Sequence, residues 1–207
     1  MEVLNVVVEI GECVGVSSRA AYPEWVSLYP PEIDVRLRPA TPEDTPLLAA
    51  WDREPHVIAC SSDDPDAEVA FDGIDWSDEL ANSAYELDYR IAEANGEPVG
   101  VLAICDPHTE PSHYWGEIEP NLRAIDIWIG PAEWLNRGVG TRMMTDAIDE
   151  CFSAPEVTAI VIDPLNTNVA AHRFYQRLGF VVEGRRTFDA DDCLVHRLTR
   201  ADWQARK

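Results

Sequence analysis

A short loop with two glycines is the segment whose residue types could bind an anionic ligand. It lies between a strand-like and a helix-like segment and consists of Asn136, Arg137, Gly138, Val139, Gly140 and Thr141. Glycine lets the backbone approach a ligand closely, and the first amides of the following helix are unpaired and carry partial positive charge. The loop therefore favours a diphosphate, and a glycine-rich helix start that binds no ligand is the alternative.

Arginines near this loop would strengthen its attraction for an anion. Arg137 and Arg142 flank the glycines, and Arg173 and Arg177 are spaced i, i+4 on a later predicted helix. The whole chain has a net charge of −22, so this local positive charge stands against the general trend. Guanidinium groups bind phosphate oxygens through paired hydrogen bonds, and the cluster therefore supports an anionic cofactor.

Asp126 is a second candidate for chemistry, because it interrupts an apolar strand pattern. Ile125, Ile127 and Ile129 would share one face of this strand, and Asp126 lies on the other. A charge in a central strand is costly unless it has a partner or a function. An amine nucleophile must lose a proton before it attacks, and a carboxylate here could accept that proton. The alternative is a structural acid that pairs with Arg123.

The spacing of apolar residues predicts the elements that must position these groups. Strands are predicted at residues 34–38, 87–92, 98–104, 122–129, 157–162, 180–183 and 193–198. Asn95 and Gly96 predict a tight hairpin turn between the second and third of these strands. Helices are predicted from Thr41 onward and at residues 143–152 and 170–178, with a loop and a short helix between residues 52 and 88. This order predicts an α/β sandwich around a mixed sheet.

The length of 207 residues predicts one domain rather than two. Residues 1–33 lack a long amphipathic period and contain a break at Pro30 and Pro31, so they are predicted to be an N-terminal extension. The domain is predicted over residues 34–203, with residues 204–207 as a C-terminal tail.

Composition excludes several classes of protein. The sequence has no apolar run of the length that a membrane helix needs, and its start resembles no secretory signal, so we expect a cytoplasmic protein and no membrane partner. Five cysteines without a CxxC pair and five histidines without ligand spacing predict neither a disulfide framework nor a metal site.

The charge balance of 38 acidic against 16 basic residues argues against a nucleic-acid partner, whose phosphates would be repelled. A polycationic substrate would be attracted instead. The alternative is that the acidic surface serves solvation, for example in a salt-tolerant host.

Two segments together resemble the acetyl-CoA signatures of the GNAT superfamily of N-acetyltransferases. Gly138 and Gly140 match the first signature and residues 168–180 match the second, and the likeness covers residues 34–203. The resemblance implies a mixed, mostly antiparallel sheet flanked by helices, with splayed strands at the acetyl-CoA cleft. It also implies acetyl-CoA as cosubstrate. Leu135 departs from the pattern, because the superfamily usually has Gln or Arg there.

The resemblance also implies how the cosubstrate is held and how the leaving group is protonated. Backbone amides of Ile127, Trp128 and Ile129 would hold the pantetheine arm and polarise the thioester carbonyl. Tyr175 could give a proton to the departing thiolate, or it could serve packing alone. Asn168 could bind the cofactor, or it could cap the helix that follows.

Within the superfamily the sequence is similar to the aminoglycoside 6'-N-acetyltransferases. The segments that carry this likeness are residues 95–100, 119–126, 138–143, 154–158 and 163–168. By this resemblance Asp126 and Glu119 match acids that bind or deprotonate the amine, and Asp163 matches an acid that holds the aminoglycoside. For Glu119 the alternative is a solvated surface acid.

The sequence departs from these enzymes at residues 57–62, where they carry tryptophans that line the sugar site. The aromatic walls are therefore missing, or they are supplied by Trp76, Tyr114 or Trp115.

The sequence thus predicts acetyl transfer from acetyl-CoA to a primary amine, with an aminoglycoside and its 6'-amino group as the acceptor and antibiotic resistance as the result. One alternative is another amine, such as a polyamine, a siderophore hydroxylamine or a protein N-terminus. Another alternative is a non-catalytic acyl-CoA sensor that uses residues 1–33 to bind a partner. A monomer and a homodimer are both compatible with the sequence.

Overall fold

The computed structural model describes residues 33–82 and 87–207. The predicted N-terminal extension therefore lies outside the described residues, except for its last residue. The strands are β1 (Val35–Pro39), β2 (Asp88–Ala94), β3 (Glu97–Cys105), β4 (Leu122–Ile129), β5 (Ala159–Ile162), β6 (Val181–Phe188) and β7 (Asp191–Thr199). The helices are α1 (Thr45–Trp51), α2 (Pro55–Ser61), α3 (Trp76–Asn82), α4 (Val139–Cys151), α5 (Val169–Leu178) and α6 (Arg200–Gln204).

The strands form one sheet in the order β1-β2-β3-β4-β5-β7-β6. All neighbouring pairs are antiparallel except β4 and β5, which are parallel. The β2–β3 hairpin turns at Asn95 and Gly96, whose φ angles of 54° and 87° are those of a tight turn. The predicted mixed, mostly antiparallel sheet is confirmed.

The two parallel strands separate soon after they meet. They pair only from Leu122 with Ala159 to Ala124 with Val161, and β4 then continues to Ile129 while β5 ends at Ile162. Among the described residues, the last part of β4 has no strand partner on this side. This gap, which we call the splay, confirms the predicted splayed strands.

The sheet separates two apolar layers. Ile125, Ile127 and Ile129 face α4, which buries Met143 and Met144 against them. Each such side chain contributes about 1.5–3 kcal/mol by leaving water. The opposite face of β4 carries Trp128 and packs against the segment that contains α1, α2 and α3. The predicted alternation of this strand is therefore confirmed, and it places Asp126 on the α1–α3 side.

The structure contains elements that the sequence pattern did not reveal. Within the predicted range 52–88, the described residues form two α-helices, α2 and α3, where one short helix was predicted. α2 begins at Pro55 and buries only Val57 and Ser61, which is too short a pattern to show a helical period. β6 extends beyond the predicted residues 180–183. Most of its side chains are exposed, so no apolar alternation in the sequence marks its end. None of the described helices is long and apolar enough to cross a lipid bilayer.

Candidate active site

The glycine loop forms an open cradle of backbone amides at the start of α4. Gly138 precedes the helix with a φ of 84°, and a Cβ atom added to it would meet nothing within 4 Å. The first helical bond runs from Arg142 N–H to Gly138 O at 3.1 Å, so the amides of Val139, Gly140 and Thr141 have no acceptor within the helix. This geometry fits a diphosphate group.

Two arginines beside the cradle are oriented by neighbouring side chains. The guanidinium of Arg137 lies 5.3 Å from the ring centre of Trp134, and Arg142 donates to Asp146 at 2.9 Å. Leu135, which departs from the superfamily pattern, packs against the core. The positive charge at the loop therefore comes from Arg137 and Arg142, and position 135 contributes packing alone.

The direction of the backbone groups of β4 decides which of them face the splay. Gly130 N–H donates to Val99 O at 3.0 Å, so the polar groups of Gly130 and, by alternation, of Trp128 point to β3. The N–H and C=O groups of Ile127 and Ile129 point into the splay. Of the three residues predicted to hold the pantetheine arm, Ile127 and Ile129 have backbone groups that face the splay.

Two carboxyl groups lie close to the point where β4 and β5 separate. Ala124 and Val161 form the last pair of the parallel register, and Asp126 and Asp163 lie two residues further along their chains on the same face. They are 4% and 3% exposed, respectively. The negative charges of both residues raise the pKa of Tyr175, so these two predicted site residues, which are far apart in sequence, lie in one neighbourhood.

The environment of Asp163 favours its protonated form. Burial raises its pKa to about 7, although the hydroxyl of Tyr114, which donates to its Oδ2 at 2.6 Å, acts in the opposite direction. Arg123 is three positions before Asp126 and therefore lies on the other face of β4, where it donates to Asp106. An acid that is partly neutral at pH 7 becomes charged when a cation binds beside it.

Tyr175 lies on α5 with a fully buried side chain. Burial raises its pKa well above the usual value, and the negative charges of Asp126 and Asp163 act in the same direction. Its hydroxyl has no hydrogen-bond partner within the described part of the chain. The phenol therefore stays protonated at neutral pH, which a proton donor to a leaving thiolate must be.

Two buried histidines next to Tyr175 have no role predicted from the sequence. The rings of His172 and His196 stack with centres 5.2 Å apart, and His196 lies 6.1 Å from the Tyr175 ring. Nδ1 of His196 contacts the Leu194 carbonyl at 2.7 Å, and burial lowers its pKa to about 4. Because the two histidines are far apart in the sequence, no sequence pattern indicated that they would form a cluster.

Two predicted site residues have other contacts in the structure. The Asn168 side chain accepts from Ala171 N–H at 3.0 Å, so it caps α5. Glu119 forms an ion pair with Arg197 at 2.8 Å and is more than half exposed. A hydrogen bond from its own backbone amide, together with Arg197, lowers its pKa. The structure therefore gives Glu119 a surface partner and does not place it in the carboxyl pair.

An acidic pocket with aromatic walls adjoins the carboxyl pair. Its main part has a volume of ≈ 780 Å³ and is lined by Phe71, Asp72, Gly73, Ile74, Ser112, His113, Tyr114 and Asp189. A smaller adjacent part adds Phe188 and Asp191. Tyr114 stacks on Phe188 with ring centres 4.5 Å apart, and its hydroxyl reaches Asp163, so it connects the two sites. We call this whole region the acceptor pocket.

Of the three aromatic residues considered as walls, the structure selects Tyr114. Trp76 and Trp115 are both 1% exposed, and Trp76 packs toward Trp128 in the interior. Neither tryptophan lines the acceptor pocket. Phe71, which the sequence did not single out, lines it instead.

Unusual backbone conformations also concentrate in this pocket. Phe71, Asp72, His113 and Asp189 have φ angles between 48° and 55°, and they are four of the seven described non-glycine residues with positive φ. Such conformations cost free energy and persist where the surrounding structure enforces them, often at functional sites.

Comparison with known proteins identifies the class of protein that this fold and cleft define. The sequence model of the acetyltransferase (GNAT) domain family matches residues 40–188, and the chain therefore belongs to this family of acetyltransferases. The family prediction is confirmed. The predicted domain limits, residues 34–203, enclose the matched region and stay a prediction.

Two named relatives indicate which acetyltransferases the sequence resembles. The chain is 28% identical over 154 residues to an aminoglycoside N(6')-acetyltransferase type 1 of Klebsiella pneumoniae, covering 74% of this chain and 77% of the relative. It is 35% identical over 79 residues to a kanamycin resistance protein of Rhizobium radiobacter, covering 38% and 73%.

Solved structures of an aminoglycoside acetyltransferase are similar to this chain as well. The crystal structure of the aminoglycoside acetyltransferase AAC(6')-Ib in complex with coenzyme A superimposes with a TM-score of 0.72 at 26% identity, covering 83% of this chain and 98% of that one. The complex with coenzyme A and kanamycin gives a TM-score of 0.71 at 26% identity, with the same coverage.

Proposed function

We propose that this protein transfers the acetyl group of acetyl-CoA to the 6'-amino group of an aminoglycoside and so confers antibiotic resistance. The observation that carries the proposal is the pair Asp126 and Asp163 at the point where β4 and β5 separate. The amide cradle follows β4 in the chain, and the acceptor pocket reaches Asp163 through the hydroxyl of Tyr114. The AAC(6')-Ib structures that contain coenzyme A and kanamycin support both assignments.

The cradle and the splay would hold the cosubstrate. The amides of Val139, Gly140 and Thr141 bind the diphosphate, with Arg137 and Arg142 adding positive charge. Ile127 and Ile129 bind the pantetheine arm through the backbone groups that face the splay. Backbone N–H groups aimed at the thioester oxygen stabilise the negative charge that develops there during attack.

The carboxyl groups and the pocket acids would hold the amine. An aminoglycoside carries several ammonium groups, and Asp72, Asp189 and Asp191 supply negative charge along the acceptor pocket. Asp163 gains a charge partner when an ammonium group binds beside it, which favours release of its own proton.

Three proton transfers complete the reaction. Asp126 accepts a proton from the bound ammonium, and the free amine nitrogen then attacks the thioester carbon and forms the new C–N bond. Tyr175 donates its hydroxyl proton to the sulfur as the C–S bond breaks, and the nitrogen then loses its second proton, which restores the Tyr175 hydroxyl. Each such group typically contributes about 10²–10⁴-fold to the rate.

The test is release of free thiol from acetyl-CoA in the presence of kanamycin, tobramycin, spermidine or a peptide with a free N-terminus. We expect turnover with kanamycin and tobramycin, and NMR of the product should show the acetyl group on the 6'-nitrogen. Turnover with spermidine or the peptide alone would establish a different amine as the substrate. Binding of coenzyme A without turnover of any amine would indicate a sensor.

A further inference from the structure

Helix α2 lies against the splay through a histidine at its start. Nε2 of His56 lies 3.0 Å from the carbonyl oxygen of Ile129, and the His56 side chain is 11% exposed. A carbonyl only accepts, so Nε2 carries the proton and donates it. The alternation of β4 directs this carbonyl into the splay, where β5 no longer supplies a partner.

The end of β4 is held at the next residue as well. The ring of Trp51 covers Gly130 so closely that a Cβ atom there would lie 2.1 Å from it. His56 and Trp51 therefore contact two consecutive residues at the edge of the splay. Without such contacts, an unpaired strand edge would exchange its hydrogen bonds with water and lose a defined orientation.

The other end of α2 reaches the acceptor pocket. Ser61 and Ser62 line its smaller part, and the Ser62 hydroxyl donates to Asp191 at 3.3 Å. One two-turn helix thus contacts the cleft edge through His56 and the acceptor pocket through its C-terminal end.

We propose that His56 is a positioning residue for the acyl-CoA arm. It orients the Ile129 carbonyl so that this oxygen can accept a hydrogen bond from an amide of the pantetheine arm. A carbonyl oxygen has two lone pairs, so Ile129 can accept from His56 and from the arm together. The inference rests on the proposed function in one respect, namely that the splay binds acyl-CoA.

The test compares His56→Leu with His56→Gln. Leucine has a similar size and cannot donate, whereas the amide nitrogen of glutamine can reach the position of Nε2 and donate. His56→Leu should raise the Kd of coenzyme A, measured by calorimetry, by about tenfold, as loss of one well-placed hydrogen bond predicts. The KM for acetyl-CoA should rise in parallel with little change in kcat. His56→Gln should stay within about threefold of the wild type.

His108 offers a matched control. Its Nδ1 contacts the carbonyl oxygen of Ile118 at 2.7 Å, so it also makes a histidine–backbone contact, but it lies in the loop between β3 and β4. His108→Leu should leave the Kd of coenzyme A unchanged.

An unchanged Kd in His56→Leu would overturn the inference, as would a glutamine variant no better than the leucine variant or an equal effect of His108→Leu. If His56→Leu fails to fold, the comparison of His56→Gln with the wild type decides, because more than a threefold loss of affinity contradicts the expected rescue. A wild type that binds no coenzyme A would overturn the proposed function and the inference together. A wild type that binds it while both His56 variants match it would overturn the inference alone.

Discussion

The two ends of the cleft are formed by different kinds of chemical group. The cosubstrate end uses backbone groups of regular elements, namely the edge of β4 and the start of α4. Its left-handed positions are Asn136 and Gly138, residue types that adopt this conformation readily. The acceptor end uses side chains on loops, and its left-handed positions include Phe71 and Asp72, which adopt it at a cost. Backbone recognition suits a constant cosubstrate, whereas side-chain recognition on loops can change with the acceptor.

The strained residues of the acceptor end are held by packing against the sheet. The Phe71 ring lies 4.9 Å from the Trp128 ring, and Trp128 belongs to the strand that carries Asp126. Each left-handed non-glycine residue costs about 1–3 kcal/mol, which the surrounding contacts must offset. Regions of this kind usually have the lower local stability.

The largest effect is expected at Asp126, where the two ends meet. Asp126→Asn removes the proton acceptor and keeps the shape, so kcat/KM for kanamycin should fall by about 10²–10⁴-fold while coenzyme A binds as before. Steady-state rates across pH and calorimetry with coenzyme A measure the two quantities. Asp106→Asn is the control, because Asp106 pairs with Arg123, on the other face of β4. Wild-type kcat/KM at every pH would remove Asp126 from the role of base.

The next effect tests whether the cosubstrate end depends on backbone geometry. Gly138 and Gly96 have φ angles of 84° and 87°, and neither has an atom within 4 Å of an added Cβ. Alanine should therefore cost both sites a similar stability of about 1–2 kcal/mol. Only Gly138→Ala should also weaken binding of coenzyme A, by about 10- to 100-fold, because its methyl group enters the cradle and displaces charge-assisted hydrogen bonds.

Denaturant unfolding and calorimetry separate the two consequences of these alanine substitutions. Equal affinity of Gly138→Ala and Gly96→Ala for coenzyme A would show that the cradle is not the diphosphate site.

The cosubstrate end could be predicted from the sequence because its signals are local. β4 alternates over its whole length and was predicted with its observed limits, whereas α4 begins at Val139 and not at residue 143, where the apolar helical period becomes visible. The shared neighbourhood of Asp126 and Asp163 follows from the parallel pairing of β4 with β5. To predict this neighbourhood, one must know that β4 and β5 are adjacent in the sheet. The resemblance to a known fold supplied that information.

The acceptor end could not be predicted in the same way. Phe71, Asp72 and Asp189 lie in segments without periodicity, and the left-handed conformation of Phe71 contradicts its local preference. α2 was missed because two buried residues do not define a period, and His56 was missed with it. The contacts that place these residues are tertiary, so only the folded chain reveals them.

A smaller effect is expected from the charge of the acceptor pocket. Asp189→Asn preserves shape and suits the left-handed position, so stability should hardly change. The KM for kanamycin should rise by about two- to fivefold, as loss of one solvent-exposed ion pair predicts. The rise of KM with salt should also become less steep. Glu97→Gln at the β2–β3 turn removes the same charge away from the pocket, and an equal effect of this control would assign the attraction to the net charge.

The smallest effect concerns the stability of the carboxyl pair. The folded chain keeps the Asp163 proton up to a pKa of about 7, whereas the unfolded chain loses it near the ordinary value of 3.8. Between these values the unfolded state binds fewer protons, so this group makes the fold less stable as pH rises. His196 acts in the opposite direction, because its pKa of about 4 lies below the ordinary 6.5 and makes the fold less stable as pH falls through that window.

Comparison of Asp163→Asn with the wild type at each pH isolates the first contribution, since His196 is present in both chains. The amide accepts a weaker hydrogen bond from Tyr114 than the carboxylate does, which limits the gain to about 1 kcal/mol, or about 2–4 °C in Tm. The Tm difference should be near zero at pH 4 and reach this value above pH 7. A difference that does not grow with pH would mean that Asp163 is ionised in the free protein. Burial of the Asp163 charge would then not destabilise the folded state. Any difference in local stability between the acceptor end and the cosubstrate end would come from the left-handed backbone conformations alone.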